Sequence, residues 1–367
     1  MDCEYFGLCG GCSFFENYNL DSKIAFYNKE LNFENPQIFS SQLSAFRIRC
    51  ELGIYHKEDE ISFCMRGKNK IVCIDACKIV NDKIKKGMSA LKEAFLKIEF
   101  REFFYRLFSV EFLGTKDLII TLIYHKNLDE SWVIFAQKLQ VFLQNRLDCK
   151  INLIGRARKT KLILGQDFVI ENLNINAQNF IYRYDDSAFV QPNKKMNEKM
   201  IAWVLENLEK NSKDLLEMYC GCGNFTLPLS QKFRKVLATE ISKTSIKALE
   251  FGIVKNEVRN IQAVRLSGDE CMEALNKKRE FNRLKNIVLD SYDFGCVFVD
   301  PPRAGLGIRV SKFLQRFQKI IYISCNPLSL KEDLEILKRS HFVEKSAFFD
   351  QFPFTNHLEC GVILTKK

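Results

Sequence analysis

The chain has 367 residues, 47% of them hydrophobic, and a formal net charge of +10. This length predicts two domains, each with enough apolar surface to form its own core. The chain begins without a basic segment followed by an apolar one, and its apolar runs are too short to cross a bilayer. We therefore expect a cytoplasmic protein, neither secreted nor inserted in a membrane. The positive charge favours a polyanionic partner.

Fourteen cysteines are present, many of them within apolar, strand-like stretches, and we expect most to be reduced core thiols. Near the N-terminus, Cys3, Cys9 and Cys12 follow the spacing C-x5-C-x2-C, and Cys77 is a fourth candidate downstream. Thiols this close in sequence predict a metal site, and four thiolates suit either zinc or an iron-sulfur cluster. The alternative, three unligated thiols, is less favoured because exposed cysteines oxidise readily.

Helical and strand patterns alternate regularly only after about residue 193, which predicts an α+β domain over residues 1–184 and an α/β domain over 185–367. In the first domain, residues 47–54 alternate polar and apolar, as in a half-buried strand with Arg47 and Arg49 on its solvent side. Residues 155–161 form a second basic element. We expect both elements to contact RNA, with an ordinary solvated surface as the alternative.

The α/β domain begins with a unit typical of nucleotide-type cofactor sites. An apolar strand at 214–219 leads into Cys-Gly-Cys-Gly-Asn-Phe at 220–225 and then into a helix, an order that lets a ligand approach the loop backbone. A second apolar strand ends at Glu240, about 20 residues after the loop, where a carboxylate can bind ribose hydroxyls. Position 226 is Thr, where a dinucleotide site would have a third glycine. The loop therefore favours S-adenosylmethionine over NAD.

Two further strands end at residues suited to chemistry. The apolar stretch 296–299 is followed by Asp300 and two prolines, and the stretch 319–323 is followed by Ser-Cys-Asn-Pro with Cys325. Open α/β sheets bind ligands at the carboxyl ends of their strands. A cysteine in such a strand is usually a structural thiol. At this edge it suits attack on carbon 6 of uracil, which makes carbon 5 nucleophilic enough to accept a methyl group.

That chemistry also requires a base to remove the proton from carbon 5. The tail offers two candidates, His357 and Glu359, which are two residues apart and point the same way in an extended stretch. Either residue could instead face solvent, and their spacing alone does not choose between them.

Several motifs together resemble the RNA uracil-5 methyltransferases over nearly the whole chain. They are the loop 219–225, Asp-Pro-Pro-Arg at 300–303, Ser-Cys-Asn-Pro at 324–327 and the tail 350–361. The tRNA (uracil-5-)-methyltransferase branch is the nearer match, because it also resembles the stretches 189–193, 279–284 and 360–365. The resemblance implies a class I S-adenosylmethionine-dependent methyltransferase domain with a Rossmann-like fold, preceded by a smaller α+β RNA-binding domain.

By this resemblance, Cys325 is the nucleophile and Glu359 is the base. The residues implied to hold the cofactor are Gln191, Tyr219, Asn224, Glu240 and Asp300. Phe108, Arg47 and Arg49 match positions that face the T-loop of tRNA. The implied substrate is the T-loop uridine, with the similar arm of tmRNA as a second one; no membrane or protein partner is implied.

The N-terminal cysteines depart from this branch. Cys3, Cys9, Cys12 and Cys77 resemble the 4Fe-4S site of the ribosomal-RNA branch, so uracil methylation of ribosomal RNA is the alternative function. An RNA chaperone, an iron-sulfur redox protein and an amino-group methyltransferase explain less. A chaperone would have no use for the catalytic residues, and a redox protein would leave the glycine loop unexplained. An amino-group methyltransferase does not need Cys325 and would usually have an aromatic residue in place of Arg303.

Overall fold

The computed structural model describes residues 3–12, 18–58, 60–210 and 213–367. Its α-helices are α1 (Leu20–Leu31), α2 (Asp82–Phe95), α3 (Ser131–Gln144), α4 (Lys194–Glu206), α5 (Thr226–Leu229), α6 (Lys243–Lys255), α7 (Gly268–Leu275), α8 (Gly307–Leu314) and α9 (Pro327–Leu337). Its strands are β1 (Gln37–Phe39), β2 (Arg49–Lys57), β3 (Glu60–Arg66), β4 (Ile71–Cys73), β5 (Leu107–Gly114), β6 (Leu118–Tyr124), β7 (Ile151–Ala157), β8 (Thr160–Leu164), β9 (Phe168–Ile175), β10 (Gln178–Asp185), β11 (Asp214–Met218), β12 (Val236–Glu240), β13 (Ile261–Arg265), β14 (Phe294–Val299), β15 (Lys319–Ser324), β16 (His341–Phe349) and β17 (Glu359–Lys366).

Strands of the second half, joined at one edge by β1, form the larger described sheet, in the order β1-β16-β17-β15-β14-β11-β12-β13. Strands β11 to β15 pair in parallel, and β17 lies antiparallel between β15 and β16. Separate apolar cores fill the two faces, one with α4 and α6 and the other with α1, α7, α8 and α9. Burial on both faces explains why the central strands are continuous apolar runs. The predicted Rossmann-like arrangement is confirmed.

The sheet described in the first half has the order β4-β3-β2-β5-β6-β7-β8. Its pairs are antiparallel except β6 with β7, which are joined through α3. Helices α2 and α3 cover one face and share an apolar core with the strands. Strands β9 and β10 form a separate hairpin that contacts α4 and α6 of the second half. This mixed arrangement agrees with the predicted α+β character.

The first helix and strand lie with the second half of the chain. Strand β1 pairs in parallel with β16, and α1 packs against α9. The Nζ of Lys23 donates to Oδ1 of Asp350 at 2.9 Å, and both side chains are buried. The hydroxyl of Tyr18 donates to the other oxygen of Asp350. The division at residue 184 therefore stays a prediction, and residues 20–39 do not belong to the first sheet.

The buried ion pair between Lys23 and Asp350 gives a test of this tie. Lys23→Met removes the cation and leaves Asp350 buried without its charged partner. We expect the free energy of unfolding to fall by about 3–5 kcal/mol, measured by urea denaturation. Lys29→Met, an exposed change on the same helix, is the control and should have little effect. Equal stability of the two variants would show that the pair does not anchor α1.

Candidate active site

One pocket of about 910 Å³ lies at the carboxyl edge of the larger sheet, beside the ends of β11, β12, β14 and β15. It collects residues that are far apart in sequence. Among the predicted site residues, those that line it are Gln191, Tyr219, Asn224, Glu240, Asp300, Cys325 and Glu359. The structure thus brings together the whole set predicted for the cofactor and for the chemistry, as expected for the carboxyl ends of parallel strands.

The glycine loop after β11 is held open by its own geometry. Gly223 has φ +87°, and a side chain there would approach within 2.4 Å of Leu249, so only glycine fits. The carboxylate of Glu240 accepts hydrogen bonds from the backbone N–H groups of Gly221 at 3.2 Å and Ser242 at 2.8 Å. The predicted ribose ligand therefore also orders the loop in the free protein.

The side chain of Asn224 is fixed by a neighbour on α4. The amides of Asn224 and Asn197 exchange two hydrogen bonds, of 2.7 and 2.8 Å. Gln191 is buried and accepts a hydrogen bond from Nε2 of Gln351 at 2.7 Å. Sequence reasoning missed Asn197 and Gln351, because each acts through a residue remote in the chain.

The loop after β14 is set by the buried carboxylate of Asp333 on α9. This carboxylate accepts from the backbone of Leu306 at 2.8 Å and of Gly307 at 3.2 Å. It also accepts from the hydroxyl of Tyr322 at 2.7 Å. These bonds hold the segment that follows the two prolines and so keep Asp300 at the pocket. Helix α9 also contains Glu332 and Glu335, so the sequence did not distinguish Asp333 for this role.

Cys325 and Glu359 lie at neighbouring ends of paired strands. Ser324 on β15 pairs with Cys360 on the antiparallel strand β17, so Cys325 and Glu359 are adjacent. Glu359 is 2% exposed, and its Oε2 has no hydrogen-bond partner within the part of the chain that the structure describes. His357, the other base candidate, is exposed and lies 3.3 Å from the guanidinium of Arg303. The geometry favours Glu359 over His357 as the acid-base group of the pocket.

Burial is the main cause of the pKa shifts of the titratable groups in the pocket. Burial, with a further contribution from the charge of Asp300, raises the pKa of Glu359 to about 8, against the opposing charges of Arg303 and Lys23. Burial raises the pKa of Asp300 to about 7. Burial, and then the charges of Glu359 and Asp300, raise the pKa of Cys325 to about 12. The thiol is therefore protonated at neutral pH until a bound substrate changes its surroundings.

Glu217 on β11 also lines the pocket and was missed from sequence. It is 1% exposed, and its Oε2 has no hydrogen-bond partner among the described residues. Burial raises the pKa of this carboxyl to about 8. The only available signal was an acid inside the strand 214–218, which also begins with Asp214, and such acids do not by themselves indicate a ligand site.

The predicted RNA contacts lie on the first sheet. Phe108 is 51% exposed and stacks on His125 with ring centroids 4.1 Å apart. Arg47 is half-buried, and its Nε donates to the carbonyl of Arg49 at 2.7 Å. Arg49 lies on the less buried face of β2, as the alternation predicts, but its side chain is only 24% exposed and its guanidinium donates to protein acceptors, among them the carbonyl of Ala188 at 2.5 Å. Alternation alone could not reveal partners from another part of the chain.

Cys3, Cys9, Cys12 and Cys77 line one small cavity of about 130 Å³, separate from the large pocket. Burial, with a smaller contribution from the neighbouring thiols, raises the pKa of Cys12 to about 12. Over residues 3–12, 18–58, 60–210 and 213–367, however, no group of three or more His, Cys, Asp or Glu is arranged to hold a metal ion. The thiols meet as predicted, and the predicted metal site is not found there.

Comparison with known proteins identifies the family of this chain. The family model for tRNA (uracil-5-)-methyltransferase matches residues 17–367. A tRNA/tmRNA (uracil-C(5))-methyltransferase of Aliarcobacter butzleri is 45% identical over 100% of this chain and 99% of its own length. One from Vibrio cholerae is 40% identical over 90% of both chains. The solved structure of the Pyrococcus abyssi tRNA (uracil-54, C5)-methyltransferase with S-adenosyl-L-homocysteine has the same fold. Its TM-score is 0.73 at 24% identity, over 98% of this chain and 86% of that one.

The α/β sheet, its glycine loop and the family match define an S-adenosylmethionine-dependent methyltransferase. More narrowly, the chain belongs to the tRNA (uracil-5-)-methyltransferase family. Among the described residues, no helix has the length and apolar character needed to span a membrane.

The raised pKa of Glu359 predicts a pH dependence of stability. Between the ordinary pKa of 4.5 and about 8, the native carboxyl keeps a proton that the unfolded chain releases. Stability must then fall as pH rises through this window, by on the order of a few kcal/mol from this group. Glu359→Gln cannot ionise, so its free energy of unfolding should fall less steeply between pH 5 and 8.5, measured by denaturant titration. Exposed Glu335→Gln should follow the wild type, and parallel curves for all three proteins would refute the assignment.

Proposed function

We propose that this protein transfers a methyl group from S-adenosylmethionine to carbon 5 of the T-loop uridine of tRNA, through a covalent bond between Cys325 and carbon 6 of the base. The observation that carries the proposal is the placement of Cys325 beside the buried Glu359, at a pocket that Asp300 also lines. A T-loop arm of tmRNA is a second substrate. The relatives with tRNA and tmRNA in their names, at 40–45% identity, support both targets.

The first step is addition of the Cys325 thiolate to carbon 6, which moves electron density to carbon 5 as an enolate. Bound S-adenosylmethionine would supply an electrophilic methyl group. Carbon 5 takes this methyl group as the methyl–sulfur bond breaks, and the electron pair of that bond stays on the sulfur of the leaving S-adenosylhomocysteine. Glu359 then removes the proton from carbon 5, the double bond forms again, and the thiolate leaves. The buried Oε2 of Glu359 suits this role, because no described residue forms a hydrogen bond with it.

In this proposal Asp300, Gln191, Tyr219, Asn224 and Glu240 hold the cofactor, in keeping with their common place in the pocket. The fixed amide of Asn224 and the loop-bonded carboxylate of Glu240 offer ligand contacts in an ordered setting. Asp300 has only partial solvent access, and a cationic ligand beside it would lower the pKa of its carboxyl, so that the group loses its proton to solvent and carries its charge.

The first sheet, within the predicted domain 1–184, is proposed to bind the RNA, and the domain 185–367 to carry the chemistry. The target base must leave its stack to reach Cys325, and the exposed ring of Phe108, stacked on His125, suits contact with unstacked bases. Arg47, which precedes β2 of the same sheet, is proposed to contact the RNA as well. A substrate of this kind implies action in the cytoplasm, and the alternative substrate is ribosomal RNA.

The central experiment uses purified protein, labelled cofactor, and separate unmodified tRNA, tmRNA and ribosomal RNA, followed by nucleoside mapping. Cys325→Ala should lower methylation by on the order of 10³-fold or more and leave cofactor affinity unchanged, because the thiolate acts on the base. Exposed Cys73→Ala is the control and should keep full activity. Normal turnover by Cys325→Ala would reject the mechanism. Label in ribosomal RNA alone would reject the target.

Glu359→Gln in the same assay separates the two half-reactions. Methyl transfer precedes proton removal, so this variant should form the covalent RNA adduct and release it slowly, seen as a retarded band on a denaturing gel. A variant without adduct and with unimpaired release would point to His357 or water as the base.

We also propose that Cys3, Cys9, Cys12 and Cys77 hold a 4Fe-4S cluster. Their convergence on one cavity supports this proposal. A cluster spreads its thiolate ligands over several irons, so it does not require the thiols to surround a single point, as a zinc ion does. Cys12 and Cys77 pack near Phe354 in the tail. A cluster here would stabilise the N-terminus against the rest of the chain and would play no part in methyl transfer, which involves no net electron transfer.

Anaerobic purification tests the cluster. The protein should be brown with a visible absorption band, and Cys9→Ser should remove the colour and lower stability and RNA affinity more than the rate of the chemical step. Colourless anaerobic protein with stoichiometric zinc would replace the cluster by zinc. Metal-free protein of unchanged stability would reject the site.

A further inference from the structure

One wall of the cofactor pocket is a segment without regular secondary structure. It connects β10 to α4, and residues 187–191 all line the pocket. Its sequence, Ser-Ala-Phe-Val-Gln, contains no residue that fixes a backbone angle. Its shape therefore depends on the bonds that other elements make to it.

Arg49 on β2 supplies two of these bonds. Its Nη1 donates to the carbonyl of Ala188 at 2.5 Å, and its Nη2 donates to the carbonyl of Asp186 at 2.5 Å. The same Nη2 donates to Oε2 of Glu111 on β5 at 3.1 Å, which orients the guanidinium. The planar group thus bridges two carbonyls of the wall, which a single ammonium cannot do in the same geometry.

The side chain of Asp186 is held by the same sheet. It is 2% exposed and accepts from Arg156 on β7 at 2.6 Å and from Lys161 on β8 at 2.8 Å. At the far end of the wall, the backbone N–H of Ile48 donates to the carbonyl of Pro192 at 2.8 Å. The first sheet therefore fixes the segment that the second half uses to enclose its ligand.

We infer that Arg49 is a positioning residue for the cofactor: from the first sheet it holds the segment 186–191 in the shape that binds S-adenosylmethionine. The inference rests on the proposed function in that it takes the large pocket as the cofactor site. It replaces an RNA role for Arg49 by a role inside the protein. Arg49 touches none of the reacting atoms and acts through Ala188 and Asp186.

The contacts favour this role over a phosphate contact. The side chain of Arg49 is only 24% exposed, and both terminal nitrogens already donate to protein oxygens. A phosphate that captured the guanidinium would leave two backbone carbonyls without their donors, which destabilises the segment where these carbonyls are buried. Binding RNA through Arg49 would thus disturb the pocket wall.

The test compares Arg49→Met, Arg49→Lys and Arg158→Met with the wild type. Arg158 is an exposed arginine on the turn between β7 and β8, so its variant removes the same charge from the same sheet. Affinity for S-adenosylhomocysteine is measured by calorimetry without RNA, and affinity for unmodified tRNA is measured over a range of salt. Thermal denaturation shows whether each variant is folded.

We expect Arg49→Met to bind S-adenosylhomocysteine about tenfold more weakly, because the wall must be ordered at the moment of binding. The affinity of Arg49→Lys for S-adenosylhomocysteine should lie between those of this variant and the wild type, and that of Arg158→Met should match the wild type. The affinity for tRNA and its salt dependence should stay unchanged in Arg49→Met. If Arg49→Met unfolds at the assay temperature, Arg49→Lys carries the comparison.

Two results would overturn the inference. One is wild-type affinity of both Arg49 variants for S-adenosylhomocysteine. The other is weaker tRNA binding by Arg49→Met with a salt slope reduced by about one, which is the signature of a lost phosphate contact. Neither measurement involves methyl transfer. If the wild type methylates tRNA and Arg49→Met keeps wild-type affinity for S-adenosylhomocysteine, this inference alone is rejected. If Arg49→Met binds S-adenosylhomocysteine more weakly but the wild type does not methylate tRNA, the proposed target alone is rejected.

Discussion

The burial of three carboxyl groups around one pocket is the constraint on which the rest of the site depends. Glu217, Asp300 and Glu359 all line it, and burial raises the pKa of each to between about 7 and about 8. A buried charge without a partner is costly, so in the free protein these groups tend to keep their protons. S-adenosylmethionine carries a sulfonium and an ammonium group, and in the proposed function their positive charge would favour ionisation of these carboxyls.

Both halves of the chain are needed to build this pocket. The carboxyl ends of the parallel strands supply the acids and the thiol, while the first sheet fixes the segment 187–191 that closes one side. The buried pair of Lys23 and Asp350 ties α1 to the tail that leads to Glu359. Domain boundaries drawn along the sequence miss this sharing, because they assign each residue to one sheet only.

Local signals in the sequence identified the main part of the site. Glycines and prolines mark the places where apolar strands stop, so the positions of Glu240, Asp300 and Cys325 at the sheet edge could be predicted without knowledge of the contacts. The cysteines near the N-terminus and Cys77 were also expected to meet, and they line one cavity. The strand ends could be predicted because each signal rests on a few neighbouring residues, whereas the roles of these residues stay predictions.

The features that sequence reasoning missed depend on partners far along the chain. Arg49 bonds to carbonyls 137 and 139 residues away, and no alternation pattern contains that information. Strand β1 has only three residues, and its partner β16 lies near the other end of the chain. Glu217 sits in an apolar strand where an acid has no local explanation. Its meaning appears only when the pocket beside it is seen.

The position of β17 has a consequence for how the protein is made. This last strand, which ends at residue 366, lies between β15 and β16, and β1 joins the sheet only through β16. Helix α1 waits for Asp350, 327 residues after Lys23. During synthesis the first sheet can form early, but the larger sheet cannot close until residues 359–366 have been made. A nascent chain that lacks β17 leaves β15 and β16 without the strand that pairs with both.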